Sequence, residues 1–237
     1  MQLHIDFSTN MLNLPVSYNS ILQGFVYNTL GRADPSFSDD VHNKGRAQKI
    51  NLPKCFTFGR LIGNYDYRKS KQEIIFSDHA AFEIRCTEQS FIEKFMSGCH
   101  EGEMVKLGTN FVKINKMFAE NKKITESTIN AFCISPFVYR APFPECNFFD
   151  ANYAAGKIIN NARYKWLCAG FDASDFELDI EFADFQPKKS QPVFKNTYII
   201  AWEIPFTLKG NARTIDFLYN TGIGKRNSQG FGMFGIK

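Results

Sequence analysis

The side chains best suited to chemistry in this 237-residue chain are four histidines, and beside them stands one glycine-rich tail. An imidazole titrates near neutrality, so it can take a proton and return one within a turnover. His4 falls in a run that alternates apolar and polar residues, where an outward-facing strand position is expected. His79 follows Ser77-Asp78 in what reads as a hairpin turn. His100 follows a helical stretch whose C-terminal dipole favours a cation. His42 lies in a polar loop among two acids and four nearby bases. It is the candidate proton shuttle, a solvated loop histidine being the alternative.

The tail reads Thr221-Gly222-Ile223-Gly224-Lys225-Arg226-Asn227-Ser228-Gln229-Gly230-Phe231-Gly232. Its glycines allow positive φ and close approach of another backbone. Concavities rich in backbone amides bind phosphate oxygens. Lys225 and Arg226 add charge, while Asn227, Ser228 and Gln229 add hydrogen-bonding groups. The G-x-G-x5-G-x-G spacing is followed by a strand, so it is not a dinucleotide fingerprint. It also lacks the G-K-[ST] ending of a nucleotide-binding P-loop. An anion-binding loop is the functional reading, and a long tight connection into the last strand is the alternative.

Charge supports a polyanionic partner. The formal net charge is +4, but residues 41–71 carry eight Lys/Arg against Asp66, a local +7. Residues 187–237 carry eight against Glu203 and Asp216, a local +6, and the remainder sums to −9. Two basic blocks on an acidic body suit a nucleic-acid track, although two solvated basic faces would look the same. The 25 phenylalanines read mainly as core, with a minority available to stack on bases.

The elements that must position these residues follow from periodicity. Residues 2–8 predict a strand. Residues 17–30 predict a helix, capped by Ser17 or Ser20 and stopped at Gly31, and residues 32–46 predict loop or a short helix followed by loop. Strands are expected at 54–61, 72–77, 80–86, 103–107 and 110–118, with a helix at 87–98 capped by Thr87. After a charged stretch at 119–125, a strand near 127–135, a helix near 150–168, strands near 174–186 and 193–208, a helix near 211–220 and a strand at 231–236 repeat the plan. Each half is strand–helix–strand–strand–helix–strand, the split βαβ order of a ferredoxin-like unit. The expected fold is therefore α+β, with two tandem ferredoxin-like (RRM-like) domains at 1–120 and 121–237, the second carrying the glycine-rich loop. No apolar run reaches the roughly 20 residues of a membrane helix. Six widely spaced cysteines, without a close pair or an export signal, read as reduced thiols of a cytoplasmic protein with no structural zinc.

The run Gly222-Ile223-Gly224-Lys225-Arg226-Asn227-Ser228-Gln229-Gly230-Phe231-Gly232-Met233 closely resembles the terminal signature of the CRISPR-associated repeat-RNA endoribonucleases, members of the repeat-associated mysterious protein superfamily. Ala201-Trp202 with Phe206-Thr207-Leu208-Lys209-Gly210, Ser135-Pro136 with Asn160 to Lys165, and His42 with Gly45 ahead of Phe56-Thr57-Phe58 resemble other parts of that family. The resemblance spans nearly the whole chain. It implies two ferredoxin-like domains and cleavage of precursor CRISPR RNA within the repeat, without metal or cofactor, giving 2′,3′-cyclic phosphate and 5′-OH ends. It implies His42 as the catalytic histidine and Tyr27 as an active-site tyrosine. It also implies a nearby lysine, for which Lys49 and Lys44 compete and Lys49 is favoured. RNA contact is assigned to Gly222, Gly224, Lys225, Arg226, Asn227, Ser228, Gly230 and Gly232. The expected partner is CRISPR repeat RNA, precursor and mature, with effector-complex proteins and a second copy of the chain left open and no membrane expected. The rival reading is a non-cleaving repeat-RNA binder or effector-complex subunit.

Overall fold

Two four-stranded ferredoxin-like cores, one per half of the chain, carry everything else. The computed structural model describes residues 1–43, 52–141, 148–195 and 197–237. The first half begins with β1 (Gln2–Ser8), α1 (Asn19–Ala33) and α2 (Pro35–Asn43), followed by β2 (Phe56–Phe58) and β3 (His79–Cys86). It ends with α3 (Gln89–Gly98), β4 (Met104–Leu107) and β5 (Asn110–Glu120). Its sheet is antiparallel in the order β2-β3-β1-β5-β4. The first four are the ferredoxin-like arrangement, and β4 is an added edge strand.

The second half is built from β6 (Thr128–Cys133), α4 (Ala151–Cys168), β7 (Leu178–Phe182), β8 (Phe206–Gly210), α5 (Ala212–Thr221) and β9 (Phe234–Ile236). Its sheet runs β7-β8-β6-β9, the same relative order. The fold class expected from the sequence is the one observed. Among the described residues no helix is long and apolar enough to cross a membrane.

Alternation in β1 turns Leu3, Ile5 and Phe7 onto α1 and α3, where Leu22, Phe25, Val26, Phe91, Ile92 and Phe95 complete one core. Ile158, Ala162 and Trp166 of α4 meet Ile215 and Leu218 of α5 over β6 and β8 in the other. Each fully buried aliphatic or aromatic side chain contributes about 1.5–3 kcal/mol.

Several local expectations need correction. Helix α1 starts after Tyr18, with no side-chain cap, and runs through Gly31 to Ala33. Gly31 lies inside the helix and faces Ser38 of α2, where a Cβ would sit in ordinary contact 3.6 Å from Ser38 Oγ, so it does not end the helix. Of the two alternatives at 32–46 the short helix forms, over residues 35–43, because Asp34 accepts the Phe37 amide at 3.0 Å and Pro35 suits a first helical position; His42 lies in its last turn and not in a loop. Glu88, not Thr87, precedes α3. His79 opens β3 opposite Ser8, so the turn is Ser77-Asp78 alone. The long strand expected at 193–208 is broken into Val193–Phe194, Thr197–Tyr198, Ala201–Glu203 and β8. Lys195 takes a positive φ there, and Pro205 lacks the ladder donor just ahead of β8. An additional three-stranded sheet, Leu12–Pro15, Glu73–Phe76 and Tyr65–Arg68, flanks the first half.

The halves are fastened by polar groups taken fully inside. Arg85 of β3 is buried and donates to the carbonyls of Tyr219 (3.3 Å) and Phe234 (2.7 Å), while its Nε reaches Glu83 at 2.5 Å. Asn220 accepts from Gln2 at 2.8 Å and from the N-terminal amine at 3.0 Å.

Candidate active site

Helix α1 presents Asn19, Gln23 and Tyr27 along one stripe, because positions four apart share a face. Asn19 donates to the carbonyls of Gln229 (3.0 Å) and Gly230 (3.1 Å), and Gln23 donates to that of Ser228 at 2.8 Å. The glycine-rich loop of the second half is thus laid along the first helix of the first half.

At the far end of that stripe Tyr27 meets His42. Their rings pack edge to face with centroids 4.9 Å apart. Fifteen residues separate them in sequence, and the α1–α2 corner at Asp34 folds them together. Lys54 Nζ lies 2.9 Å from the Tyr27 hydroxyl and 2.9 Å from the His42 carbonyl. The His42 Nδ1 is 3.2 Å from Asn43 Oδ1, so an Nδ1–H donated there leaves Nε2 as the accepting nitrogen. Tyr27 and His42 line an open cleft of about 640 Å³ together with Arg32, Ser38 and Asp39. Burial raises the Tyr27 phenol well above its ordinary value. The phenol therefore keeps its proton at working pH.

The other three histidines lie elsewhere. His4 stacks on Phe118 with centroids 4.9 Å apart and reaches Glu120 at 3.0 Å. His100 is 3.2 Å from Glu103, and His79 is exposed at the start of β3. Lys44 and Lys49, the competing lysines of the sequence reading, lie outside the described residues. Lys54 was missed by that reading. Its only sequence signal is a basic residue just ahead of the β2 strand.

The tail loop differs from the concavity expected. Its amides at Gly222, Ile223, Lys225, Gln229, Gly230 and Gly232 all donate to carbonyls of the protein itself. The four glycines have positive φ, and a Cβ on Gly224 or Gly232 would meet the Val138 or Ile223 carbonyl oxygen at 2.4 or 2.0 Å. Much of the glycine requirement is therefore internal packing. Asn227 is buried and turned inward, donating to the carbonyls of Ile223 (2.9 Å) and Phe231 (3.0 Å). Lys225 and Arg226 are exposed, with Arg226 donating to Gln229 at 2.9 Å.

Beneath the loop lies a residue to which the sequence reading gave no site role. Lys165 of α4 is buried, and its ammonium donates to the Gly222 carbonyl and to Asn227 Oδ1, the latter at 3.1 Å. Desolvation lowers its pKa to about 7, partly offset by the nearby Cys55. A lysine in a helix among apolar neighbours gives little local signal of this.

The two basic blocks also meet. A cleft of about 720 Å³ between the halves is lined by Tyr18, Tyr65 and Tyr67 on one side and Lys188 and Gln191 on the other. Arg60 from the first block (2.9 Å) and Lys188 from the second (3.6 Å) converge on Glu203.

Comparison with known proteins bears on the family and the fold. Residues 13–117 match the family model "CRISPR-associated protein Cas6, N-terminal", and residues 119–236 match "CRISPR associated protein Cas6, C-terminal". The chain is 26% identical to "CRISPR-associated endoribonuclease Cas6 1" of Methanocaldococcus jannaschii, covering 98% of this chain and 91% of that protein. Its fold is similar to a solved Cas6-related protein from Pyrococcus furiosus, with a TM-score of 0.82 at 20% identity, covering 100% of this chain and 98% of that one. It is also similar to a solved RAMP protein described as binding different RNA substrates, with a TM-score of 0.79 at 18% identity and coverage of 100% and 99%.

Proposed function

Because the chain belongs to the Cas6 family of CRISPR-associated proteins, we propose that it is the endoribonuclease that cuts precursor CRISPR RNA within its repeat, by general acid–base catalysis without a metal. The observation that carries the reading is the packing of His42 on Tyr27 in an open cleft, with the Lys54 ammonium on the Tyr27 hydroxyl.

His42 Nε2 takes the proton from the ribose 2′-OH. The 2′-oxygen bonds to the adjacent phosphorus as the bond from phosphorus to the 5′-oxygen breaks. The imidazolium returns a proton to the departing 5′-oxygen. The ends left are a 2′,3′-cyclic phosphate and a 5′-OH. A positioned acid–base group contributes about 10²–10⁴-fold. The Lys54 ammonium, bonded to Tyr27, holds positive charge beside the phosphate as its oxygens gain charge. Lys225 and Arg226 contact the RNA backbone, and the strand runs through the cleft between the basic blocks. The domain boundary proposed is 120/121, supported by β5 ending at Glu120 and by separate cores on either side.

The test incubates labelled repeat RNA with the protein in EDTA. Wild type cuts the all-ribose strand, a 2′-deoxy substitution at the cut site blocks cleavage, and His42→Ala binds without cutting. Cleavage that requires added metal removes the mechanism, and full cleavage by His42→Ala removes the assigned base.

A further inference from the structure

Helices α1 and α2 fold back on each other at the Asp34 corner. Gly31 faces Ser38, and one turn farther from the corner on each helix Tyr27 faces His42. Side chains four apart share a helix face, so the two pairs are successive rungs of one contact. The residue of α2 that is taken inside is Ser38, which is polar. A buried hydroxyl is expected to find a partner. Ser38 Oγ donates to the Tyr27 carbonyl oxygen at 3.1 Å. The bond therefore joins the turn of α2 that leads to His42 with the backbone of the residue whose ring meets His42.

Apolar contact alone would not fix that meeting. Phe37 and Val41 pack partly buried against the core, and such contact has no preferred direction. A hydrogen bond weakens steeply away from its line, so it fixes register as well as distance. Lys54 adds a second tie, since its ammonium donates to the His42 carbonyl at 2.9 Å.

We propose that Ser38 is a positioning residue whose hydroxyl sets the register of α2 on α1 at which the His42 imidazole meets Tyr27. Ser38 acts through His42 and gives no proton to the reaction, because its own is committed to the Tyr27 carbonyl. Misplacing a reacting group by about 1 Å costs roughly 10²-fold in rate, so a single backbone tie has kinetic weight. The catalytic part of this inference rests on the proposed cleavage reaction; the placement of the His42 ring does not.

Two measurements test it. In single-turnover cleavage of repeat RNA, Ser38→Ala should lower the rate by about threefold or more while Kd for the RNA stays within about twofold. Ser38→Thr should cut faster than Ser38→Val, because the two share a shape and differ in the hydroxyl. A smaller drop in Ser38→Ala, a loss confined to Kd, or equal rates for Thr and Val overturns the positioning role. The second measurement needs no activity. The His42 ring protons feel the ring current of Tyr27, and their NMR signals are assigned by their loss in His42→Ala. In Ser38→Ala they should move towards their position in Tyr27→Leu, while the signals of His4, His79 and His100 stay in place. Unmoved His42 signals overturn the placement even where wild type cuts RNA, and the cleavage reading then stands without it. Failure of wild type to cut, with the His42 signals moving as expected, rejects the cleavage reading and leaves the placement standing.

Discussion

Lys165 is the residue whose surroundings depart furthest from its chemistry. Its ammonium is enclosed and serves two acceptors, the Gly222 carbonyl and Asn227 Oδ1. Its folded pKa of about 7 lies below the ordinary 10.5. Between these values the unfolded chain binds a proton that the folded chain does not, so this group makes the protein more stable as pH rises from about 7 towards 10.5. Lys165→Met should flatten that slope in urea midpoints measured from pH 6.5 to 9.5. It should also cost about 1–3 kcal/mol for each acceptor left unpaired. A variant with wild-type slope would show that the amine titrates normally. His42 and Tyr27 could be singled out before the fold was known, since residue type and a familiar motif pointed to them. Lys165 and Lys54 could not, because what distinguishes each is the depth or direction of its amine, a property of neighbours far away in sequence.

Among the elements, the contact of α1 with the tail loop is where the second half bonds the helix that carries Tyr27. Gly230 has φ +83°, and a Cβ there would lie 2.6 Å from both Asn19 Nδ2 and Phe58 Cε2. Gly102 has φ +86° with open space around it. The pair separates backbone strain from crowding. Gly102→Ala should cost about 1 kcal/mol, the left-handed penalty alone. Gly230→Ala should cost clearly more and lower Tm further, because α1 or the loop must move. Equal shifts in thermal melts would mean that the loop tolerates displacement. Helix and strand positions were largely legible, since β1 and α1 carry their periods in plain view. The second helix stayed one of two alternatives, because Asp34, Pro35, Asp39 and Asp40 resemble loop composition until Phe37 and Val41 are seen packing on the core. The tail loop's interior was not legible, because amides that could cradle a phosphate are satisfied there by the chain itself.

At the scale of the molecule, Arg85 ties the halves. It is 2% exposed, stacks over Tyr219 with the guanidinium carbon 3.8 Å from the ring centroid, and donates to Phe234 at 2.7 Å. Arg85→Met leaves the Glu83 carboxylate and two carbonyls without their cation, a loss of about 3–5 kcal/mol for a buried pair broken on one side. Calorimetry should then show two separated transitions in place of one, as each core unfolds on its own. A single transition at the wild-type temperature would place the coupling elsewhere. The order of elements, and with it two ferredoxin-like cores, followed from the sequence alone, because strand and helix periods and chain connectivity are local and few topologies satisfy them. The histidine and the glycine signature were equally plain as residues. Only the tertiary structure decided that Asn19 and Gln23 of the first helix bond the backbone of the tail, that Asn227 faces inward, and that the two basic blocks share a cleft. Those facts depend on how the two cores dock, and docking is set by shape and buried polar pairs that leave no period in the chain.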